Sequence, residues 1–205
     1  YLLKDLPEDS QVRNDFQYLD SAFGGSKPWE MAIVPADEHT SVFNYAFLKE
    51  AIKIDHYLRD SFGIEKVLSP LDLVKYANQI DKGGANQFYK VPQKEAFEKQ
   101  KGIRRQLLSR GVAEGLVDSS RQYARFAGFI PEWGSNDTQK RNHALKAFIH
   151  KEVDENILSA RITGTTYLID KSNENLSIEL MKGLIVAVLM IAMVLAVYFK
   201  SFKML

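Results

Sequence analysis

The stretch Gly183–Phe199, GLIVAVLMIAMVLAVYF, contains no charge, no proline and no polar group except the Tyr198 hydroxyl. A buried helix of a water-soluble protein normally keeps a polar stripe, and this segment has none. At 1.5 Å per residue its length is about 25 Å, near the lower limit for crossing a hydrocarbon core, and Met181 extends the apolar surface by a turn. Lys182 at one end and Lys200 and Lys203 at the other can snorkel into headgroups, while Tyr198, Phe199 and Phe202 suit the interface. The segment reads as a membrane span, and lying so far along the chain it is no signal peptide. Lysine counting leaves its orientation open, because Lys171 and Lys182 before it balance Lys200 and Lys203 after it.

The rest of the chain belongs to a different solvent. Up to about Asp170 charges recur every few residues, and 27 Lys+Arg stand against 26 Asp+Glu, a net charge of +1. That balance argues against a nucleic-acid surface. Cysteine is absent, which removes disulfides, thiol nucleophiles and cysteine metal sites. The sequence opens on Tyr1, and the apolar YLL start predicts a piece of something longer.

Along the soluble part, a helix is expected from about Ser10 to Phe23 with Gly24-Gly25 as its stop, then a strand over Met31–Pro35. From Ser41 to Phe62, Phe47, Ala51, Ile54 and Leu58 recur at three- and four-residue spacing, an amphipathic helix stopped by Gly63. Ile64–Ser69 reads as the next strand, and Pro70 opens a short helix through Ala77. An insertion of about 80–118 follows, with a polar helix over Gln93–Arg110. Ser119–Glu132 reads as a long strand interrupted by Gly128. Asn136 or Asp137 caps a helix to about Ile157, with Leu145, Phe148 and Val153 inward. Ser159–Ile169 is a fourth strand, and DKSNEN a polar linker to the span.

Two βαβ units in series can pack four antiparallel strands against two helices. The expected fold class is therefore α+β, a ferredoxin-like (βαββαβ) domain with a helical insertion and one C-terminal transmembrane helix.

Three stretches, LPEDSQVRNDFQYLDSAFGGSKPWEMAIV, FGIEKVLSPLDLVK, and ARITGTTYLID leading through NLSIELMKGLIVAVLMIAMVLAVYFKSFK, resemble the resistance-nodulation-division superfamily of exporters, especially its Patched-like and mycobacterial-membrane-protein-large branches. The resemblance implies an extracytoplasmic (periplasmic) porter domain over residues 1–175. It implies a transmembrane helix and the start of the cytoplasmic side over 176–205, with the basic FKSFK as the exit into the cytoplasm. The whole protein would be a multi-pass inner-membrane exporter, proton-driven, moving lipids or other hydrophobic molecules along a path that this domain helps form. Its partners would be the bilayer, the remaining transmembrane helices, a second porter domain of the same protein and a hydrophobic or lipid substrate, with no nucleic acid. The proton-relay residues would lie outside this chain. Two alternatives stand beside it: a related protein-secretion accessory, and a tail-anchored interaction domain.

No catalytic, cofactor-binding or metal residue is assigned, and the chain is not expected to be an enzyme. His143 and His150 lie seven apart on one helix face, but metal sites use shorter spacing with a third ligand, so both read as surface histidines. Ser69 and Ser120 lack an elbow motif or a base partner, and Asp118 reads as a strand-end turn. Lys99, Lys101, Arg104, Arg105 and Arg110, interleaved with Glu95 and Glu98, read as a solvated helix face. Phe16, Tyr18, Phe23 and Trp29 read as core rather than as a substrate path.

Overall fold

The computed structural model describes residue 7 and residues 9–199, the side chains of Ser135 and Phe199 excepted. The YLL opening and residues 200–203 of FKSFK lie outside the described residues. The fold is mixed helix and sheet in two compact units, residues 1–166 and 167–205.

In the first unit the chain forms α1 (Gln11–Ala22), β1 (Lys27–Pro35), α2 (Tyr45–Tyr57) running into a π-helical turn over Leu58–Phe62, and α3 (Pro70–Asp81). After a short 3-10 turn at Asn86–Phe88 come α4 (Lys94–Lys99), α5 (Lys101–Ser109), β2 (Ala124–Ile130), α6 (Ser135–Glu152) and β3 (Leu158–Thr163). The three strands make one antiparallel sheet in the order β2-β1-β3. β1 holds the centre, its interior residues carrying ladders on both sides, while Pro28 and Pro35, which lack the N–H a ladder needs, sit near its ends.

Along β1, Trp29, Met31, Ile33 and Pro35 are buried in strict alternation. Met31 stands opposite Phe126 on one side and Ile162 on the other, so one face of all three strands is apolar. Against it lies the α2 stripe of Phe47, Ala51, Ile54 and Leu58, each fully buried, together with Leu145 and Ile149 of α6. Burying a side chain of this size contributes about 1.5–3 kcal/mol. The expected α2 stripe is thus correct, although the helix starts four residues later. Its cap is Asn44, whose side chain accepts from the Ala46 amide at 2.8 Å. Phe62 carries the core to its edge, 5.1 Å from the Trp29 ring and 5.8 Å from Trp133.

The expected strand Ile64–Ser69 shrinks to a single bridge. Leu68 exchanges both backbone hydrogen bonds with Ala127, antiparallel to β2, at 2.8 and 2.9 Å. Ile64 and Val67, three apart, are both buried, and a strand cannot turn two such residues to the same face. The Ser69–Asp72 capping box with Pro70 then starts α3 at once.

The insertion docks on α3 through a small apolar cluster, Leu73, Ala77, Leu107 and Ala113, with Phe43, Ile103, Leu108 and Val117 against it. Its expected single helix is two, broken at Gln100, whose buried amide donates to Asn78 and Asp81, both at 3.0 Å. Asn78 in turn donates to the carbonyls of Phe88 and Lys90. The expected strand Ser119–Glu132 is cut to Ala124–Ile130, because Asp118 winds the preceding residues into a turn and Pro131 ends the ladder.

The expected fourth strand Ser159–Ile169 also ends early, at Thr163. Gly164 has φ +94°, a left-handed conformation that breaks the pleat, and its missing Cβ would lie 3.1 Å from Glu30 Cβ. From Thr165 the chain is one helix, α7 (Thr165–Phe199). DKSNEN is therefore no linker: Lys171 pairs with Glu174 at 2.7 Å and Glu179 with Lys182 at 2.8 Å, spacings of three that reward helix. The expected boundary at residue 175 falls inside α7.

Candidate functional site

α7 changes solvent along its length. At 1.5 Å per residue its 35 residues reach about 52 Å, well beyond the roughly 30 Å of a hydrocarbon core. The half before Gly183 carries the charges and the half after it carries none. In that second half every large aliphatic side chain from Leu184 to Val197 is exposed, and the most apolar window of the helix is 0% buried. Leaving such a surface in water costs on the order of 10–20 kcal/mol when each half-exposed side chain is counted at part of its burial energy. The helix is long and apolar enough to cross a membrane.

The first unit offers a cleft on the other face of its sheet. Because Trp29, Met31 and Ile33 point inward, Pro28, Glu30, Ala32 and Val34 point away from the helices. The register sets Ala32 between Arg125 and Arg161, Glu30 between Ala127 and Thr163, and Pro28 beside the exposed Phe129. The Gly115–Asp118 segment folds back on β2, with the Arg125 amide donating to the Leu116 carbonyl at 2.9 Å and the Asp118 amide to the Tyr123 carbonyl at 3.0 Å. Between this flap and the sheet lies a cleft of about 530 Å³ lined by Ala32, Leu116, Val117, Tyr123, Arg125 and Thr163, among others. Arg125 is held at its rim by Glu30 at 3.0 Å.

The cleft's surfaces suit apolar contact rather than bond making. Its one carboxylate, Asp118, already accepts the amides of Ser120, Gln122 and Tyr123 and the Ser120 hydroxyl. Partial burial pushes that carboxyl up, but the hydrogen bonds from Ser120, Tyr123 and Gln122 outweigh it and hold it below the usual carboxylate range. A carboxylate so engaged is a turn-former, as expected, and a poor base. The chain matches no family model, no curated protein and no solved structure.

The residues weighed in the sequence are scattered. His143 and His150 are both exposed on α6, and His150 meets Glu155 at 2.5 Å instead of a second imidazole. Among the described residues no group of three or more His, Asp or Glu side chains could hold a metal ion. Ser69 is buried and spent on capping α3. Of the four aromatics, Trp29 is core as expected, whereas Phe16 is only half-buried on an α1 that buries no residue, and Tyr18 on that helix and Phe23 just after it are exposed. The basic run is not one solvated face either: Arg104 is buried, its guanidinium 3.6 Å from the Phe97 ring centre.

Of the cleft residues, sequence inspection singled out Asp118, as a turn, and read none as lining a cleft. The one signal was the small Ala32 between two large buried neighbours, marking an outer sheet face not committed to charge. Leu116 and Tyr123 are brought to it only by the flap.

Proposed function

We propose that this chain is a porter-type domain of a membrane exporter of the resistance-nodulation-division kind, with α7 crossing the bilayer and the first unit on the extracytoplasmic side. The cleft over the outer sheet face forms part of the path of a lipid or other hydrophobic substrate. The observation that carries the reading is the order of the sheet. With Leu68 bridged to the edge of β2 that faces away from β1, an edge it shares with Val117, the succession across the sheet is β3, β1, β2, Leu68, every neighbour antiparallel. That succession supports a ferredoxin-like reading, with one residue pair standing in the place of the second strand.

The junction to α7 supports the same reading. Only Gly164 separates the last residue of β3 from the first of a helix whose far half is apolar on all sides. A domain joined in sequence to a membrane helix through a single glycine suits work by conformational change, driven from elsewhere in the protein. The cleft supplies apolar walls and a single paired cation, a lining for amphiphiles rather than for ions.

The test is transport by the full-length protein in proteoliposomes carrying a pH gradient, with a fluorescent phospholipid as reporter. Export should require the gradient, and Ala32→Trp, which fills the cleft, should slow it several-fold while the circular dichroism spectrum stays unchanged. Gradient-independent transfer, or transfer indifferent to Ala32→Trp, refutes the proposal.

A further inference from the structure

A second concavity in the first unit, of about 420 Å³, lies where the Thr40–Tyr45 segment, α4, α5 and the Arg121 turn converge. It is lined by four permanent cations, Lys101, Arg104, Arg105 and Arg121, against a single carboxylate, Glu98, and His39 stands at the same surface. None of the four cations forms an ion pair with a carboxylate among the described residues. The aromatic and apolar walls are Phe43, Phe97 and Leu108.

Arg104 is the informative member. It is 6% exposed, yet among the described residues its guanidinium hydrogen-bonds only to the Phe97 carbonyl, a neutral group near the end of α4. A buried guanidinium without an anion is costly, and burial lowers its hold on its proton, with Glu98 pulling the other way. Arg121 lines the cavity from a separate turn with an uncommon backbone, φ +62°, fixed by its amide on the Asp118 carbonyl at 3.1 Å and by the Val42 amide on its own carbonyl at 2.9 Å. Two chain segments some twenty residues apart thus hold their cations against one hollow.

We infer that this concavity binds a phosphate group carried on an apolar or aromatic body. Arginine pairs with phosphate oxygens through two parallel hydrogen bonds, and a cluster of four cations offset by one carboxylate matches a dianion better than a single carboxylate ligand. The three apolar walls accept what the phosphate is attached to. The inference does not rest on the exporter reading, since the site lies wholly within the first unit.

The full-length protein in neutral detergent is titrated calorimetrically with inorganic phosphate, phenyl phosphate and dihexanoyl phosphatidic acid, and with benzyl alcohol as a neutral control. Saturable binding of phenyl phosphate is expected, weakened about tenfold or more by the surface double variant Lys101→Gln/Arg121→Gln, which leaves Arg104 in place, and by Arg104→Gln. Equal affinity for inorganic and phenyl phosphate overturns the inference, because the apolar walls would then add nothing, whereas much tighter phosphatidic acid supports it and makes a lipid headgroup the source. Equal affinity of wild type and double variant, equal binding of benzyl alcohol, or no binding of any phosphate overturns it. Loss of export with phosphate binding intact would remove the exporter reading alone.

Discussion

Gly128→Ala probes the part of the fold that the functional reading leans on. Gly128 lies on β2 opposite Trp29, and the segment before Leu68 crosses directly over it. A Cβ added there would lie 2.7 Å from Ile64 Cγ2 and 2.9 Å from the Lys66 carbonyl oxygen, closer than real Cβ atoms approach their neighbours. The isoleucine methyl can swing aside but the carbonyl belongs to backbone pinned by the Leu68 bridge. Overpacking of this kind costs about 1–3 kcal/mol. Alanine restricts the unfolded chain and returns about 0.4–1 kcal/mol. The net expectation is a loss of about 1–2 kcal/mol, a fall of very roughly 2–8 °C in Tm for a domain of this size. Urea unfolding followed by tryptophan fluorescence measures it, since Trp29 stands across from the substitution. Gly102→Ala is the control: in the first turn of α5, with nothing within 4 Å of the added Cβ, it should gain about 0.5–1 kcal/mol. If Gly128→Ala is neutral, or gains stability as Gly102→Ala does, the chain does not cross β2 there and the four-position sheet order is wrong.

Three further perturbations follow from the same structure. Asp55 is buried beneath Arg59 at 3.1 Å and Lys75 at 3.3 Å, so Asp55→Ala should cost roughly 3 kcal/mol in urea unfolding, with less loss when Lys75→Met is combined with it. The Tyr89 hydroxyl donates to Asp72 at 3.1 Å, and burial together with the Asp72 charge raises its pKa from 10.0 to about 12. A raised folded pKa means the folded state holds that proton more tightly, so stability is full below pH 10.0 and falls as the pH rises towards about 12; Tyr89→Phe should show a shallower alkaline loss in paired denaturation curves. Leu189→Arg, mid-way along the apolar half of α7, should raise the cost of membrane insertion by about 2.5–3.5 kcal/mol in a translocon insertion assay, whereas Leu168→Arg should leave it unchanged.

What could be read from the residues was local and periodic. The α2 stripe ending at Gly63, the Pro70 helix start and the apolar stretch from Gly183 each depend on neighbours a few positions away, and each has its place in the structure. The errors arose where a distant or competing term decided. Thr165, Thr166 and Ile169 favour strand by themselves, but the left-handed Gly164 ends β3 and the charge pairs beyond it continue the helix. Gln93–Arg110 has helical composition throughout, yet Gln100 turns inward to bond residues on α3 and splits it. The candidate sites were least legible of all. Ala32 and Leu116 meet across more than eighty residues of chain, and Arg104 and Arg121 share a hollow only because Asp118 coils the turn between them. No spacing rule registers either.

The central claim, that α7 crosses the bilayer with the first unit outside the cytoplasm, is tested most directly by single-cysteine labelling: these 205 residues contain no cysteine, and any cysteine elsewhere in the full-length protein is first replaced by serine. In intact cells producing the full-length protein, a membrane-impermeant maleimide should label His143→Cys, exposed on α6, without permeabilisation, and should spare Met190→Cys even after it. Labelling of Met190→Cys from water, or of His143→Cys only once the membrane is opened, would contradict the account.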